Sequence, residues 1–283
     1  MSVENNRGSL QGQTILITGI VDENSLACRV AREAHTRGAR LVCAGLGRTD
    51  QHGTLSERAG KYLEAAGEQF RATVKAEFGA ETPALIMDAT IDATLSDLAA
   101  ELKNSGVKLD GVLHSIAMDR TIRDGKVKPL LQVTRDEFMG AMDVSAYSLI
   151  AILRTLTEAE LLARGASVVA LSYIGAAGST LEDYKNMGVA KAALERICKE
   201  LAAEMGPSMD ARINAVSFSP FIESRAGGAI PGIKAAYDRH QQVAPLGVAR
   251  ADDLAREVCF LMESDLRITG SVRYVDGGFH ARV

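Results

Sequence analysis

Seven short apolar runs punctuate the chain, each four to eight residues long and bounded by Gly, Asp, Ser or Pro. They are Thr14–Thr18 (TILIT), Arg40–Ala44, Ala84–Met87, Gly111–His114, Ala166–Leu171, Ala211–Phe218 and Gly270–Val275. That length, with near-continuous hydrophobicity, is the pattern of strands buried on both faces. The stretches between them change period. Ala27, Val30, Ala31 and Ala34 recur at helical spacing before Gly38, and Leu55, Ala59, Leu63, Ala66, Phe70 and Val74 do the same further on. Thr94–Ser105 and a longer stretch from Thr134 to about Arg164 also predict helices, the latter packing Met139, Met142, Val144, Leu149, Ile152 and Leu153. Strand and helix in strict alternation predict an α/β fold with a doubly wound, seven-stranded parallel sheet. We expect one domain over residues 10–283 and a flexible lead-in over 1–9. Two segments exceed what a plain connection needs. Residues 49–83 form an enlarged helical insertion, and 219–233 (SPFIESRAGGAIPGI), rich in Gly and Pro, reads as a flap.

Composition narrows the function mainly by exclusion. A net charge of −4 over 283 residues, with both signs interspersed, predicts neither nucleic acid nor a membrane surface as partner. No apolar run approaches a bilayer span, and the polar N-terminus MSVENNRGSLQGQ lacks the apolar core of a signal peptide. The four cysteines lie far apart and the five histidines have no ligand spacing. They predict reduced thiols in a cytoplasmic protein with no metal site.

The first strand ends at Gly19, and a helix capped by Asn24 or Ser25 follows. Strand, glycine turn and helix N-terminus together place free backbone N–H groups where a dinucleotide pyrophosphate binds in a Rossmann-type fold. The GxGxxG fingerprint is absent, since the next glycine is Gly38, so an ordinary βα turn stays open here. After the second strand the residues are Gly45-Leu46-Gly47-Arg48, with no acid before Asp50. An arginine there suits the 2′-phosphate of NADPH better than the ribose of NADH. Asp88, ending the third strand, either accepts a bond from an adenine amino group or caps the next helix. Beyond the fourth strand, the small residues Ser115 and Ala117 let a flat cofactor approach the backbone. His114 reads as a packed histidine rather than a base.

The densest chemistry lies in Leu171–Glu195, LSYIGAAGSTLEDYKNMGVAKAALE. Tyr184 and Lys191 are seven residues apart, nearly two helical turns, so both fall on one face. A phenol with an ammonium beside it suits a proton or hydrogen-bond donor, and the cation should lower the tyrosine pKa. Tyr173 and Ser172 end the preceding strand.

These residues resemble the short-chain dehydrogenase/reductase superfamily, and more closely its branch of bacterial enoyl-acyl-carrier-protein reductases. The resemblance spans about Leu10 to Phe279. It is carried by Thr18-Gly19-Ile20 with Asn24–Ala27, His114–Ala117 (HSIA), Met142–Leu149 (MDVSAYSL), LSYIGA with YKNMGVAK, and VDGGF near the end. Most superfamily members carry Tyr-x-x-x-Lys. Here Gly188 is four residues after Tyr184 and the lysine comes at seven, as in the enoyl reductases, with Tyr173 matching their second aromatic.

The resemblance implies reduction of the 2,3-double bond of trans-2-enoyl thioesters by NADH or NADPH, on acyl carrier protein or coenzyme A, by a homotetramer. It implies that Tyr184, Tyr173 and Lys191 are catalytic. Gly19, Ile20, Ser25 and Leu26 would hold the pyrophosphate, and Asp88 and Ala89 the adenine. Ser115, Ile116 and Ala117 would line the cofactor, with Lys191 on its ribose. Ile222 and Ser224 would reach its carboxamide side, and Met118 and Asp119 would border the substrate. A ketone or 3-ketoacyl thioester reductase using Ser172 is one alternative. A nucleotide-binding sensor without chemistry is another. The sequence departs from the branch at Ala117, where glycine is usual, and in the enlarged 49–83 region. The Tyr173–Tyr184 loop and the start of the flap each appear one residue longer.

Overall fold

The structure is a computed structural model, and it describes residues 9–178 and 184–282. The expected flexible lead-in falls almost wholly on residues outside that range, as does half of the Tyr173–Tyr184 loop. Strand β1 (Thr14–Thr18) is followed by helix α1 (Leu26–Thr36), β2 (Arg40–Gly45), α2 (Glu57–Phe78), β3 (Ala84–Ile86), α3 (Asp92–Asn104) and β4 (Leu109–His114). A hairpin of β5 (Ile122–Arg123) and β6 (Lys126–Val127) precedes α4 (Arg135–Met142) and α5 (Ser148–Glu158). Then come β7 (Leu162–Tyr173), α6 (Lys185–Met209), β8 (Arg212–Phe218), α7 (Arg225–Gly228), α8 (Ile233–Val243), α9 (Ala251–Met262) and β9 (Val272–Val275). The main sheet has seven strands in the order β3-β2-β1-β4-β7-β8-β9, and every pairing in it is parallel.

Alternation along each strand divides the core into two layers. Leu16, Val112 and Val168 face α3, α5 and α6, while Ile15, Ile17, Leu113 and Val169 face α1, α2 and α9. All of these are fully buried, and each such side chain contributes roughly 1.5–3 kcal/mol of burial free energy.

Three local readings need correcting. The loop expected over Met118–Val133 contains the β5–β6 hairpin, because Asp124 and Gly125 both adopt positive φ (50° and 69°) and make the two-residue turn that hairpins favour. The helix expected to reach Arg164 ends at Glu158; Glu160 turns left-handed (φ 57°) and β7 begins at Leu162, four residues before the expected start. Third, α4 and α5 join through a five-residue π-helical turn, Asp143–Tyr147, into one helix over Arg135–Glu158. Its 24 residues and mean hydropathy of 1.2 equal those of a bilayer span, where the sequence pattern suggested none. Over half of its apolar window is buried inside the protein, with Leu149, Ile152, Leu153 and Leu156 in the α3–α6 core layer. Those side chains make it a core helix.

The chain moves from β1 outward to β3, then returns to place β4 on the other side of β1. The carboxyl ends of β1 and β4 therefore diverge at a topological switch point, which is where open α/β sheets bind ligands.

Candidate active site

A cavity of about 970 Å³ opens at that switch point. It runs from α2 at one end, across the ends of β1, β4, β7 and β8, to α7, α8 and Phe279 at the other.

At its centre, Gly19 has φ +88°, and a Cβ there would sit 2.0 Å from the Ser115 carbonyl oxygen. Only glycine lets the two strand ends approach this closely. Thr18 Oγ1 fastens them, donating to the Leu113 carbonyl (2.8 Å) and accepting from Ser115 N–H (3.3 Å). Gly19, Ile20, Ser25 and Leu26 all line the cavity. Ser25 takes the N-cap position of α1, as expected, yet its hydroxyl donates to the Asp22 carbonyl (2.7 Å) and caps nothing. The first turn of α1 thus has no side-chain cap and no acidic residue, which leaves it suited to an anion.

Toward α2, three glycines set the wall. A Cβ on Gly45 would meet the Phe70 ring at 2.6 Å, and one on Gly47 would lie 3.0 Å from Gly67 Cα. With these side chains missing, α2 lies directly against the end of β2 and presents Tyr62, Leu63, Ala66 and Gln69 to the cavity. Residues 49–83 are therefore a wall of the site and not a remote buttress. Asp88 and Ala89 line the same end. Asp88 does not cap α3, whose N-cap is Ile91. Its Oδ1 accepts from Thr90 N–H (2.9 Å) and Oγ1–H (2.7 Å). Arg48 departs from expectation: it is outside the cavity lining, and its guanidinium is paired with Glu64 of α2 at 2.5 Å. The helical insertion supplies the carboxylate that draws it away.

At the β4 end, Ser115, Ile116, Ala117 and Met118 line the cavity. The Ser145 hydroxyl, in the π-helical turn, accepts from Met118 N–H (3.1 Å) and donates to the Met118 carbonyl (3.3 Å), pinning this loop. Lys191 is buried and its Nζ donates to the Ile116 carbonyl (3.2 Å). Burial lowers its pKa to about 8, against smaller upward pulls from Cys198 and Glu195. His114 is fully buried, bonded to Ser148 Oγ at 2.8 Å and held neutral with a pKa of about 3, by burial first and then Lys191. It is the packed histidine the sequence suggested.

Tyr184 is the N-cap of α6 rather than a residue within it, and Lys191 follows two turns in. Both line the cavity with Tyr173. The Tyr173 hydroxyl donates to the Tyr184 carbonyl (2.8 Å), and the two rings tilt at 48° with centroids 6.1 Å apart. Gly188 makes room for this arrangement, since a Cβ there would lie 2.8 Å from the Gly175 carbonyl and 3.3 Å from the Tyr173 hydroxyl. A lysine at that position, as in most of the superfamily, could not be accommodated without displacing the turn. The expected lowering of the Tyr184 pKa is reversed: desolvation raises it first, and the Asp119 carboxylate adds to that. Asp119 is buried beside the cavity and not in its lining. Its Oδ1 accepts from Thr121 N–H (2.9 Å) and Asn186 Nδ2 (3.1 Å). Ser172 Oγ donates to Glu195 (2.6 Å), so the hydroxyl needed by the ketone-reductase alternative is engaged on α6.

In the flap, Ser224 and Ala226 line the cavity, while Ile222 is 38% exposed and outside it. Phe221 takes the place expected of Ile222. The sequence pattern missed three further features: Phe218, the α2 side chains, and the stack of His240 on Phe279 (3.7 Å between centroids, 12°). Phe279 belongs to the VDGGF motif, which was the one available signal for that stack. Among the described residues no cluster of three or more His, Cys, Asp or Glu could hold a metal.

The uncapped α1 N-terminus, the Gly19 gap and the buried Lys191 together fit a nicotinamide dinucleotide laid across the switch point. Comparison with known proteins agrees. Residues 57–280 match the family described as enoyl-(acyl carrier protein) reductase. The chain is 33% identical to the enoyl-acyl-carrier-protein reductase (NADH) FabI of Salmonella typhimurium, over 96% of this chain and 95% of that protein. It is 32% identical to the Escherichia coli enzyme, over 96% and 95%. Among solved structures, the FabI–NADH complex of Alistipes finegoldii superposes with a TM-score of 0.81 at 31% identity, covering 97% of this chain and 90% of that one. The Bacillus cereus reductase with NADP+ and an indole naphthyridinone gives 0.81 at 28% identity, covering 96% and 98%. The chain belongs to the enoyl-(acyl carrier protein) reductase family.

Proposed function

We propose that this protein reduces the 2,3-double bond of a trans-2-enoyl thioester, using a reduced nicotinamide dinucleotide, in fatty-acid synthesis. The observation that carries this reading is the joint placement of Tyr173, Tyr184 and Lys191 in one cavity wall, with Gly188 opening the space between them. The dinucleotide, when bound, supplies the hydride that reaches the β-carbon, and a proton drawn from solvent completes the α-carbon. The chain's own residues do the rest. Tyr184, kept protonated by its buried setting, donates a hydrogen bond to the thioester oxygen as negative charge develops there. Tyr173 fixes the backbone of Tyr184 from behind. Lys191 orients the ribose and brings positive charge to a dry site.

NADH is the better-supported cofactor. Neither Lys nor Arg lines the α2 end of the cavity, and Arg48 is held by Glu64. A 2′-phosphate there would meet Leu46, Tyr62 and Leu63. The relatives named above are NADH enzymes by name, though the Bacillus cereus structure holds NADP+. Four buried free cysteines support a reducing, cytoplasmic setting. A homotetramer is supported by exposed apolar side chains on α4 to α6, namely Met139, Tyr147 and Val189.

The test follows NADH and NADPH absorbance with crotonyl and longer 2-enoyl thioesters of acyl carrier protein and coenzyme A, beside the matching 3-ketoacyl thioesters. Oxidation with the enoyl set alone is expected. Oxidation with the keto set alone would overturn the reading and return Ser172 to the chemistry. Bound cofactor without turnover would favour a sensor.

A further inference from the structure

The segment between β2 and β3 does more than supply a wall. It contains a single 3₁₀ turn, Asp50–His52, whose last side chain is buried. His52 Nδ1 faces Thr49 N–H at 3.2 Å. The same Nδ1 lies 3.3 Å from the Thr49 carbonyl, which would need the proton on Nδ1, whereas accepting from the N–H leaves it on Nε2; the carboxylate facing Nε2 favours the second tautomer. That Nε2 is a buried donor which no hydrogen bond reaches. It stands 3.4 Å from Asp88 Oδ2.

Asp88 presents its two oxygens differently. Oδ1 is saturated by the Thr90 N–H and hydroxyl. Oδ2 faces the His52 ring, and Asp88 lines the α2 end of the cavity. A carboxylate oxygen accepts two donors, so Oδ2 can take one from the imidazole and one from a ligand. A buried N–H this close to a carboxylate gains by closing the remaining gap, because leaving it unpaired is costly.

We propose that His52 is a positioning residue that holds Asp88 Oδ2 toward the exocyclic amino group of the adenine, so that the insertion contributes to cofactor recognition through a second residue behind the first. This rests on the dinucleotide reading above and extends it to a residue outside the cavity lining.

The experiment compares dissociation constants for NADH and for deamino-NADH, its hypoxanthine analogue, by fluorescence titration of wild type, His52→Leu and His52→Gln. Hypoxanthine has a carbonyl where adenine has the amino group, so wild type should bind deamino-NADH more weakly, by about tenfold for one lost hydrogen bond to a charged group. His52→Leu should weaken NADH binding severalfold, leave deamino-NADH nearly unchanged and shrink the ratio toward one. His52→Gln keeps a donor near the Nε2 position and should restore most of the ratio. A purely structural role would weaken both cofactors together, and an unchanged ratio in His52→Leu would overturn the proposal while sparing the wider reading. Equal binding of both cofactors by wild type would overturn the assignment of Asp88 and this inference with it. Absence of binding by either would overturn the dinucleotide reading itself. Absence of enoyl turnover with binding intact would sink the reaction alone and leave the ratio to decide His52.

Discussion

Tyr184 and Lys191 act through opposite responses to the same burial. A neutral phenol is favoured by a dry site and a cationic amine is disfavoured, so one pKa rises and the other falls. Tyr184→Phe should lower kcat with an enoyl thioester by about 100-fold, the cost of losing one donor to a developing oxyanion, and leave the Kd for NADH nearly unchanged. Wild-type kcat in that variant would remove the hydroxyl from the mechanism. Lys191 gives a pH dependence. Its folded pKa of about 8 lies below its ordinary 10.5, so between these values the unfolded chain holds a proton that the folded one has released. Stability of the cofactor-free protein should therefore gain from this residue as pH rises through that window. Affinity for NADH should move the other way, with Kd rising by up to about tenfold per pH unit above the lysine's pKa as the ammonium is lost. Titrations from pH 7 to 9.5 would show it, and Lys191→Met should bind weakly with a flat profile. Arg48→Ala should leave the NADPH to NADH ratio of kcat/KM unchanged, since Glu64 already holds the guanidinium. A fall in that ratio would restore Arg48 to the 2′-phosphate.

Among the elements, α2 walls the end of the cavity away from Tyr184 and Lys191. Its apolar period was plain in the sequence, and its N-terminus is set by Ser56, whose hydroxyl accepts from Ala59 N–H at 3.3 Å. What brings it into the site is the facing pair Gly47 and Gly67, which no period reveals because neither has a side chain to count. Gly67→Leu should wedge α2 from β2, at roughly 1–3 kcal/mol for overpacking. The expected signature is a raised KM for NADH with kcat nearly intact, since Tyr184 and Lys191 belong to α6. An equal loss of kcat would mean that α2 also governs the nicotinamide end.

For the whole molecule, the sheet order brings residues more than a hundred positions apart to one cavity, from Gly19 to Phe279. A ligand laid across it should tie both ends together. NADH at 100 times its Kd should add about 2.7 kcal/mol to stability, which raises Tm by several degrees in a thermal melt. No shift at saturating NADH would contradict a site spanning the switch point.

Much of this was legible in one dimension. Seven apolar runs with alternating helical periods dictate a parallel doubly wound sheet, because strands buried on both faces need a crossover helix each. The TGI turn, the HSIA turn and the Tyr-to-Lys spacing of seven point to the chemistry, because local backbone geometry and helical pitch fix where those side chains lie. Whatever depends on distant partners was not legible. Glu64 takes Arg48, Glu195 takes Ser172, and burial, followed by Asp119, raises the pKa that Lys191 was expected to lower. Phe221, not Ile222, faces the cavity. Charge pairing, desolvation and close approach act through space, and the strand order that sets those distances is decided only when the sheet assembles.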